Sequence, residues 1–128
     1  MSSLAVNFLG IPMASPLIGA SGTVGFGLEL AKFIDMKEIG AISGKGLAPT
    51  PWTGNNGTRI AEPTSGLLNC IGLENPGARY LLAPYLPVVK KLGCPYLANM
   101  VGKSVEEYAE CAKLLSVRGI WALEVNIS

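Results

Sequence analysis

Histidine is absent from this sequence. That removes a Ser-His-Asp triad, a histidine general base and a His-based zinc site from the chemistry the chain can supply. Cysteine is scarce: Cys70, Cys94 and Cys111 are odd in number and no two form a CxxC pair. They read as small buried hydrophobes in a reducing cytosol, not as a disulfide framework or a metal site. Charge is sparse as well, at 15% of residues with a net of +1, and no basic cluster exceeds Lys90-Lys91. Nucleic-acid binding therefore has no electrostatic footprint. No apolar run approaches the ~20 residues of a membrane span. Met1-Ser2-Ser3 leads straight into a strand pattern, without the basic and apolar regions of a signal peptide.

What remains is 128 residues that are 49% hydrophobic. The length suits one domain, but the hydrophobic share is rich for a small one. A well-packed α/β domain with buried strands fits these numbers. A piece of a larger fold, with surface meant for further neighbours, fits them better.

Along the chain, Leu4, Val6 and Phe8 alternate with smaller or polar residues, Gly10 punctuates, and Ile11-Pro12-Met13 follows. This is the pattern of a β-hairpin. Pro16 to Ala20 reads as a first buried strand, and Leu28 to Ile34 as a helix with Leu28, Ala31, Phe33 and Ile34 on one face. Gly40 to Lys45 is a second strand. Ala48 to Arg59 is a loop rich in Pro, Gly and Asn, and such a long loop is functional or disordered. Arg59 to Glu62 is a short extended piece within that excursion. A helical stretch opens at Ala78 and is split by Pro84 and Pro87 into two short helices, which Gly93 and Pro95 terminate. Tyr96 to Val101 is the third buried strand.

Ser104-Val105-Glu106-Glu107 is a capping box. It starts a helix whose Val105, Tyr108, Ala109, Ala112 and Leu115 share a face and which Gly119 ends. Ala122 to Ser128 is the fourth strand. Strands alternating with helices argue for a parallel sheet with right-handed crossovers. Both the first half of a (β/α)8 barrel and a small doubly wound sheet meet that description. The fourth strand favours the barrel: Leu123, Val125 and Ile127 share one face, while Glu124, Asn126 and Ser128 make the other polar. That suits a barrel interior near a ligand better than a sheet covered by helices on both sides.

Ligands of such sheets bind at the carboxyl ends of the strands. Those ends carry Ser21-Gly22-Thr23, Lys45-Gly46, Asn99 and Asn126. Each residue alone has a bland explanation, as a snorkelling lysine or a turn asparagine. Their gathering at one mouth is the signal, because a lysine and several carboxamides read a planar, hydrogen-bonding ring. Gly22-Thr23-Val24-Gly25-Phe26-Gly27 lacks the GxGxxG spacing of a dinucleotide site. It reads as a tight turn that lets backbone approach a flat ring.

Ala20-Ser21-Gly22-Thr23, Gly44-Lys45-Gly46, Gly54-Asn55, Arg59-Ile60, Glu107-Tyr108 and Glu124-Val125-Asn126-Ile127-Ser128 occur in an order that resembles the class 1 dihydroorotate dehydrogenases, class 1B most of all. The most specific match is the run Asn69-Cys70-Ile71-Gly72-Leu73-Glu74-Asn75-Pro76-Gly77. Leu47-Ala48 and Met100-Val101 depart from the residues the family commonly carries there. The resemblance implies residues 1–128 as the N-terminal half of a single FMN-binding TIM barrel, preceded by a β-hairpin. It implies oxidation of dihydroorotate to orotate in pyrimidine biosynthesis.

The resemblance places Ser21, Lys45, Gly46, Asn99 and Asn126 at FMN. It places Lys45, Asn69, Cys70, Ile71, Gly72, Leu73 and Asn126 at the substrate, with Lys45 stabilising charge during catalysis. The family's cysteine base would lie just beyond Ser128, and none of the three cysteines present matches it. No metal is implied on this chain. Class 1B enzymes pair with a subunit carrying FAD and an iron-sulfur cluster that passes electrons to NAD. A cytoplasmic homo-oligomer is expected, and no membrane-associating extension, because the hairpin begins at Leu4. Two other readings stay open: a pyrimidine-reducing flavin barrel of the dihydropyrimidine dehydrogenase kind, and a non-catalytic half-barrel that only binds or assembles.

Overall fold

The computed structural model describes residues 4–128; the Met1-Ser2-Ser3 lead-in lies outside them. The expected hairpin is present, with β1 (Val6–Phe8) antiparallel to β2 (Ile11–Met13). The sheet that organises the molecule contains β3 (Ile18–Gly19), β4 (Ala41–Ser43), β7 (Tyr96–Met100) and β8 (Ala122–Val125), in that spatial order and all parallel. Between β4 and β7 the chain makes an excursion, pinned by a small antiparallel hairpin of β5 (Ile60–Ala61) and β6 (Leu68–Asn69).

Successive strand residues point to opposite faces, and here the two faces have different work. Ile42, Tyr96, Ala98 and Met100 pack outward beneath the helices, against Leu81, Val89, Cys111 and Leu115. Ala41, Leu97 and Ala122 point the other way and meet Ile11 and Met13 of the hairpin in a second apolar cluster. The register continues that inner face upward: Ser43 pairs with Leu97 and Asn99 with Glu124. The inner face is thus apolar at its start, where the hairpin plugs it, and polar at the strand ends.

The connections depart from sequence expectation in informative ways. Pro16 to Ala20 yields only two strand residues, and Ile18 is exposed, not buried. With β4 as its one strand neighbour among the described residues, β3 is an edge of this sheet. The helix expected over Leu28 to Ile34 is a single 3-10 turn, Leu30–Lys32, with no side-chain cap at Glu29. Asp35 then accepts a 3.0 Å bond from the Lys37 amide and starts a second 3-10 turn, Met36–Glu38. Phe33, expected on the packed face, is 83% exposed.

The two helices expected after Ala78 are one continuous run: α1 (Ala78–Tyr80), a wide π turn (Leu81–Tyr85) containing Pro84, and α2 (Leu86–Val89). Pro84 has no amide hydrogen to give, and the Leu86 amide reaches back five residues to Leu81 O. The helix widens around the proline where a break was expected.

The last helix, α3 (Val105–Leu115), is capped much as its sequence implies: Ser104 Oγ accepts from the Glu107 amide at 3.3 Å. The Glu107 carboxylate accepts from the Lys103 amide at 2.7 Å, one residue before the position a capping box assigns it. Backbone and Ser104 hydrogen bonds hold the Glu106 carboxyl below its ordinary pKa. The buried stripe of α3 is Cys111 and Leu115, flanked by half-buried Tyr108 and Ala112; Val105 is 79% exposed and Ala109 is exposed too. The helix ends at Leu115, four residues before Gly119. Cys70 is exposed, against the expectation that all three cysteines are buried; Cys111 is buried and Cys94 is half-buried. Among the described residues no helix is long and apolar enough to cross a membrane, and no cluster of acidic or cysteine side chains could hold a metal.

Candidate active site

The carboxyl ends of the four parallel strands open into a cleft of about 420 Å³. Ser21, Lys45, Gly46, Leu73, Asn99, Glu124 and Asn126 line it, together with backbone of the 125–128 segment. All of these except Glu124 were singled out in the sequence, and they meet at one place. Asn69, Cys70, Ile71 and Gly72 do not line it. Asn69 and Cys70 belong to a shallow surface on the β5–β6 hairpin, and Gly72 packs against Asn55.

Each wall has a local cause. The turn after β3 uses Gly22, Gly25 and Gly27 at positive φ. It folds back so that Gly25 O accepts from the Lys45 amide at 3.0 Å. Gly27 lies against β4, where a Cβ would stand 2.5 Å from Ile42 Cδ1. The Lys45 side chain follows Ala41 and Ser43 on the inner face. It is half-buried, and among the described residues it has no acidic partner within ion-pair distance. Beyond Gly46, the Leu47 amide bonds Asn99 O at 3.0 Å, and Cys111 Sγ donates to Leu47 O at 3.2 Å, tying the strand end to α3.

The motif around residues 69–77 builds a loop. Asn75 is buried, and three hydrogen bonds hold its side chain. Its Oδ1 accepts from the Ala48 and Gly77 amides, both at 3.0 Å, and its Nδ2 donates to Leu73 O at 2.9 Å. It pins the loop to the start of α1 and does not read a ring. Arg59 clamps the other side, pairing with Glu74 at 2.5 Å and donating to Thr53 O and Asn55 O. Asn55 Nδ2 bonds Cys70 O at 3.1 Å. This scaffold leaves Leu73 at φ 53°, a left-handed conformation that non-glycine residues rarely adopt, on the rim of the cleft.

Asn126 is held through its backbone. Its amide bonds Met100 O at 3.0 Å, and its carbonyl accepts from the Tyr108 hydroxyl. Its Oδ1 accepts from the Ser128 amide at 2.9 Å and from Ser128 Oγ at 2.7 Å, so its Nδ2 side is available to a ligand. Asn99 is 3% exposed; its Nδ2 donates to Glu124 Oε1, and its Oδ1 has no hydrogen-bond partner among the described residues. Glu124 was not singled out from the sequence as a site residue. Its signal was present in the alternation that groups it with Asn126.

None of the three cysteines lines the cleft. Burial pushes the Cys111 thiol up to about 11 and raises that of Cys94. Neither suits a base working near neutrality.

Comparison with known proteins agrees with this fold. A crystal structure of DHODH from Eimeria tenella in complex with ferulenol superposes with a TM-score of 0.75, covering 98% of this chain and 36% of that one. At 21% identity the match speaks for the fold, the N-terminal half of a TIM barrel with its leading hairpin. Proteins named dihydroorotate dehydrogenase B (NAD(+)), catalytic subunit, are 41% identical in Listeria monocytogenes and 45% identical in Anoxybacillus flavithermus. Both matches take in all of this chain, which spans 42% and 41% of those proteins. The family model described as dihydroorotate dehydrogenase matches residues 3–128, and the chain belongs to that family.

Proposed function

We propose that this chain forms the N-terminal half of an FMN-dependent enzyme that oxidises dihydroorotate to orotate. The observation that carries the reading is the single cleft at the strand ends, where Lys45, Ser21, Gly46, Asn99 and Asn126 converge. The residues present fit a flavin. Asn99 Oδ1 is an orphaned buried acceptor, and Gly46 leaves open a space that a Cβ would fill, 2.7 Å from that oxygen. Lys45 offers a cation with no acidic partner at ion-pair distance among the described residues. Ser21, Lys45, Gly46, Asn99 and Asn126 would hold FMN, which supplies an acceptor for the hydride removed from the substrate ring.

The chain's own residues bind and polarise. Lys45 sets a fixed positive charge where negative charge develops, in a half-buried position where such a charge acts more strongly than in water. Asn126 orients the pyrimidine with its free amide hydrogens. Leu73 supplies an apolar wall; the family resemblance assigns Asn69 to Gly72 to the substrate as well, although they lie outside the cleft in this structure. Removal of the carbon-bound proton falls to a residue outside the set described. The name "catalytic subunit" borne by the relatives supports a partner subunit. We propose that this partner carries FAD and an iron-sulfur cluster and passes electrons to NAD, and that the assembly is a cytoplasmic homo-oligomer.

The test is to express the full-length barrel protein carrying this chain, measure its FMN content and assay it with dihydroorotate and with uracil as alternative substrates. Stoichiometric FMN and orotate formation are expected. A protein that lacks flavin, or that turns over only uracil and dihydrouracil, overturns the reading.

A further inference from the structure

The direction of a side-chain amide is ordinarily ambiguous, because its oxygen and nitrogen are similar in shape. At Asn99 the chemistry resolves it. Asn99 on β7 and Glu124 on β8 are directly paired in the parallel register, and both point to the inner face. The group facing Asn99 is the Glu124 carboxylate. An ionised carboxylate only accepts, so the amide must turn its N–H side to Glu124. Turning it over would set oxygen against oxygen. Asn99 Oδ1 is therefore directed to the other side, against Gly46, where it has no partner. A buried carbonyl left unpaired costs free energy, and glycine at position 46 removes the Cβ that would otherwise crowd it.

Resting on the flavin-enzyme reading above, we propose that Glu124 is a positioning residue. It fixes Asn99 as a hydrogen-bond acceptor for a ring N–H of the planar heterocycle bound in the cleft. Flavin and pyrimidine both carry an imide N–H of this kind. Oxidised flavin offers no other ring donor, so an acceptor held in one orientation distinguishes that edge from the carbonyl edges beside it. Glu124 acts through Asn99, and its value lies in the direction it imposes on the amide.

Isosteric variants test this without opening a cavity. In the full-length protein, stripped of flavin, Asn99→Asp sets two carboxylates against each other. It is expected to weaken FMN binding by about tenfold or more, the scale of one lost hydrogen bond at a buried site. Adding Glu124→Gln restores a donor–acceptor pair in the reverse sense, with one carboxylate oxygen at position 99 still directed at Gly46. The double variant is expected to regain most of the affinity. FMN titration by fluorescence quenching and orotate titration of the reconstituted protein identify which ring is read. Rescue in the FMN arm assigns the contact to flavin, and rescue in the orotate arm alone assigns it to the pyrimidine.

A purely structural pair would change the unfolding midpoint without this reciprocal recovery of affinity. Unchanged affinity for both FMN and orotate in the single variants Asn99→Asp and Glu124→Leu overturns this inference alone. Equal losses from Asn99→Asp and from the double variant also overturn it. A wild-type protein that binds neither ligand overturns the functional reading as well.

Discussion

Among the described residues that line the cleft, Lys45 carries the one cationic side chain and Glu124 the one anionic side chain. If charge stabilisation during hydride transfer rests on Lys45, then Lys45→Ala in the full-length enzyme should slow flavin reduction by roughly 10²–10³-fold, the usual scale for one preorganised group. Stopped-flow bleaching at the wild-type rate would refute that role. Asn126 makes a separate prediction. Its backbone is anchored by Met100 O and the Tyr108 hydroxyl, so Asn126→Ala removes the amide without releasing the strand end. A loss of about 1–3 kcal/mol in orotate binding is expected. Asn69→Ala in the same titration reports on the hairpin: a comparable loss means that it covers the bound pyrimidine, and unchanged affinity removes Asn69 from the substrate set. Lys45, Asn99 and Asn126 could be picked out from sequence because each ends an apolar run. Glu124 was not, although the alternation grouped it with Asn126 on the polar face, because what an acidic residue does there depends on its neighbour. That neighbour lies 25 positions earlier, and only the β7–β8 register joins them. Asn75, the other carboxamide of the motif that contains Asn69, is structural: every side-chain bond it makes is to backbone.

Among the elements, those with strong local signals were the legible ones. The hairpin alternates, β7 opens on the apolar run Tyr96-Leu97-Ala98, and α3 has Ser104 to start it. The segment between β3 and β4 was misread because apolar spacing alone does not make a helix. Without a cap at Glu29, and with Asp35 opening a new turn, it settles as two 3-10 turns. What tertiary packing demands of β4 is equally hidden. Gly44 directly precedes Lys45, and a Cβ there would overlap the Tyr96 hydroxyl oxygen. Tyr96 is buried, its hydroxyl has no partner, and burial drives its pKa far above the ordinary tyrosine value. The ring cannot move outward into the helix layer without displacing core side chains. Gly44→Ala is therefore expected to destabilise the full-length protein by about 1–3 kcal/mol, the range for overpacking a filled core. It should also weaken FMN retention, because the strand end carrying Lys45 must shift. Urea unfolding and flavin content after gel filtration measure the two effects; an unchanged midpoint would show that Tyr96 has somewhere else to go.

At the scale of the whole molecule, the inner face of the sheet has a floor and a mouth but one wall. Its floor is the cluster of Ile11, Met13, Ala41 and Leu97, and its mouth is the cleft. Among the described residues β3 and β8 each have a single strand neighbour, so both edges present backbone groups that can template another strand. Leu17, Val125 and Ile127 beside those edges are exposed, Ile127 at 88%. Ser43 Oγ and Asn99 Oδ1, on the inner face, have no partners. A barrel of this kind closes with eight strands, and its phosphate site follows strands seven and eight; the four-stranded sheet here offers neither closure nor that site. The polypeptide of residues 1–128, prepared by itself, is therefore expected to self-associate through its edges, to hold FMN weakly and to produce no orotate. Light scattering after size exclusion, flavin absorbance and an orotate assay on that polypeptide check the three statements separately. A yellow, monodisperse monomer that turns over dihydroorotate would show that four strands suffice, and that the open edges and bare inner face impose no cost.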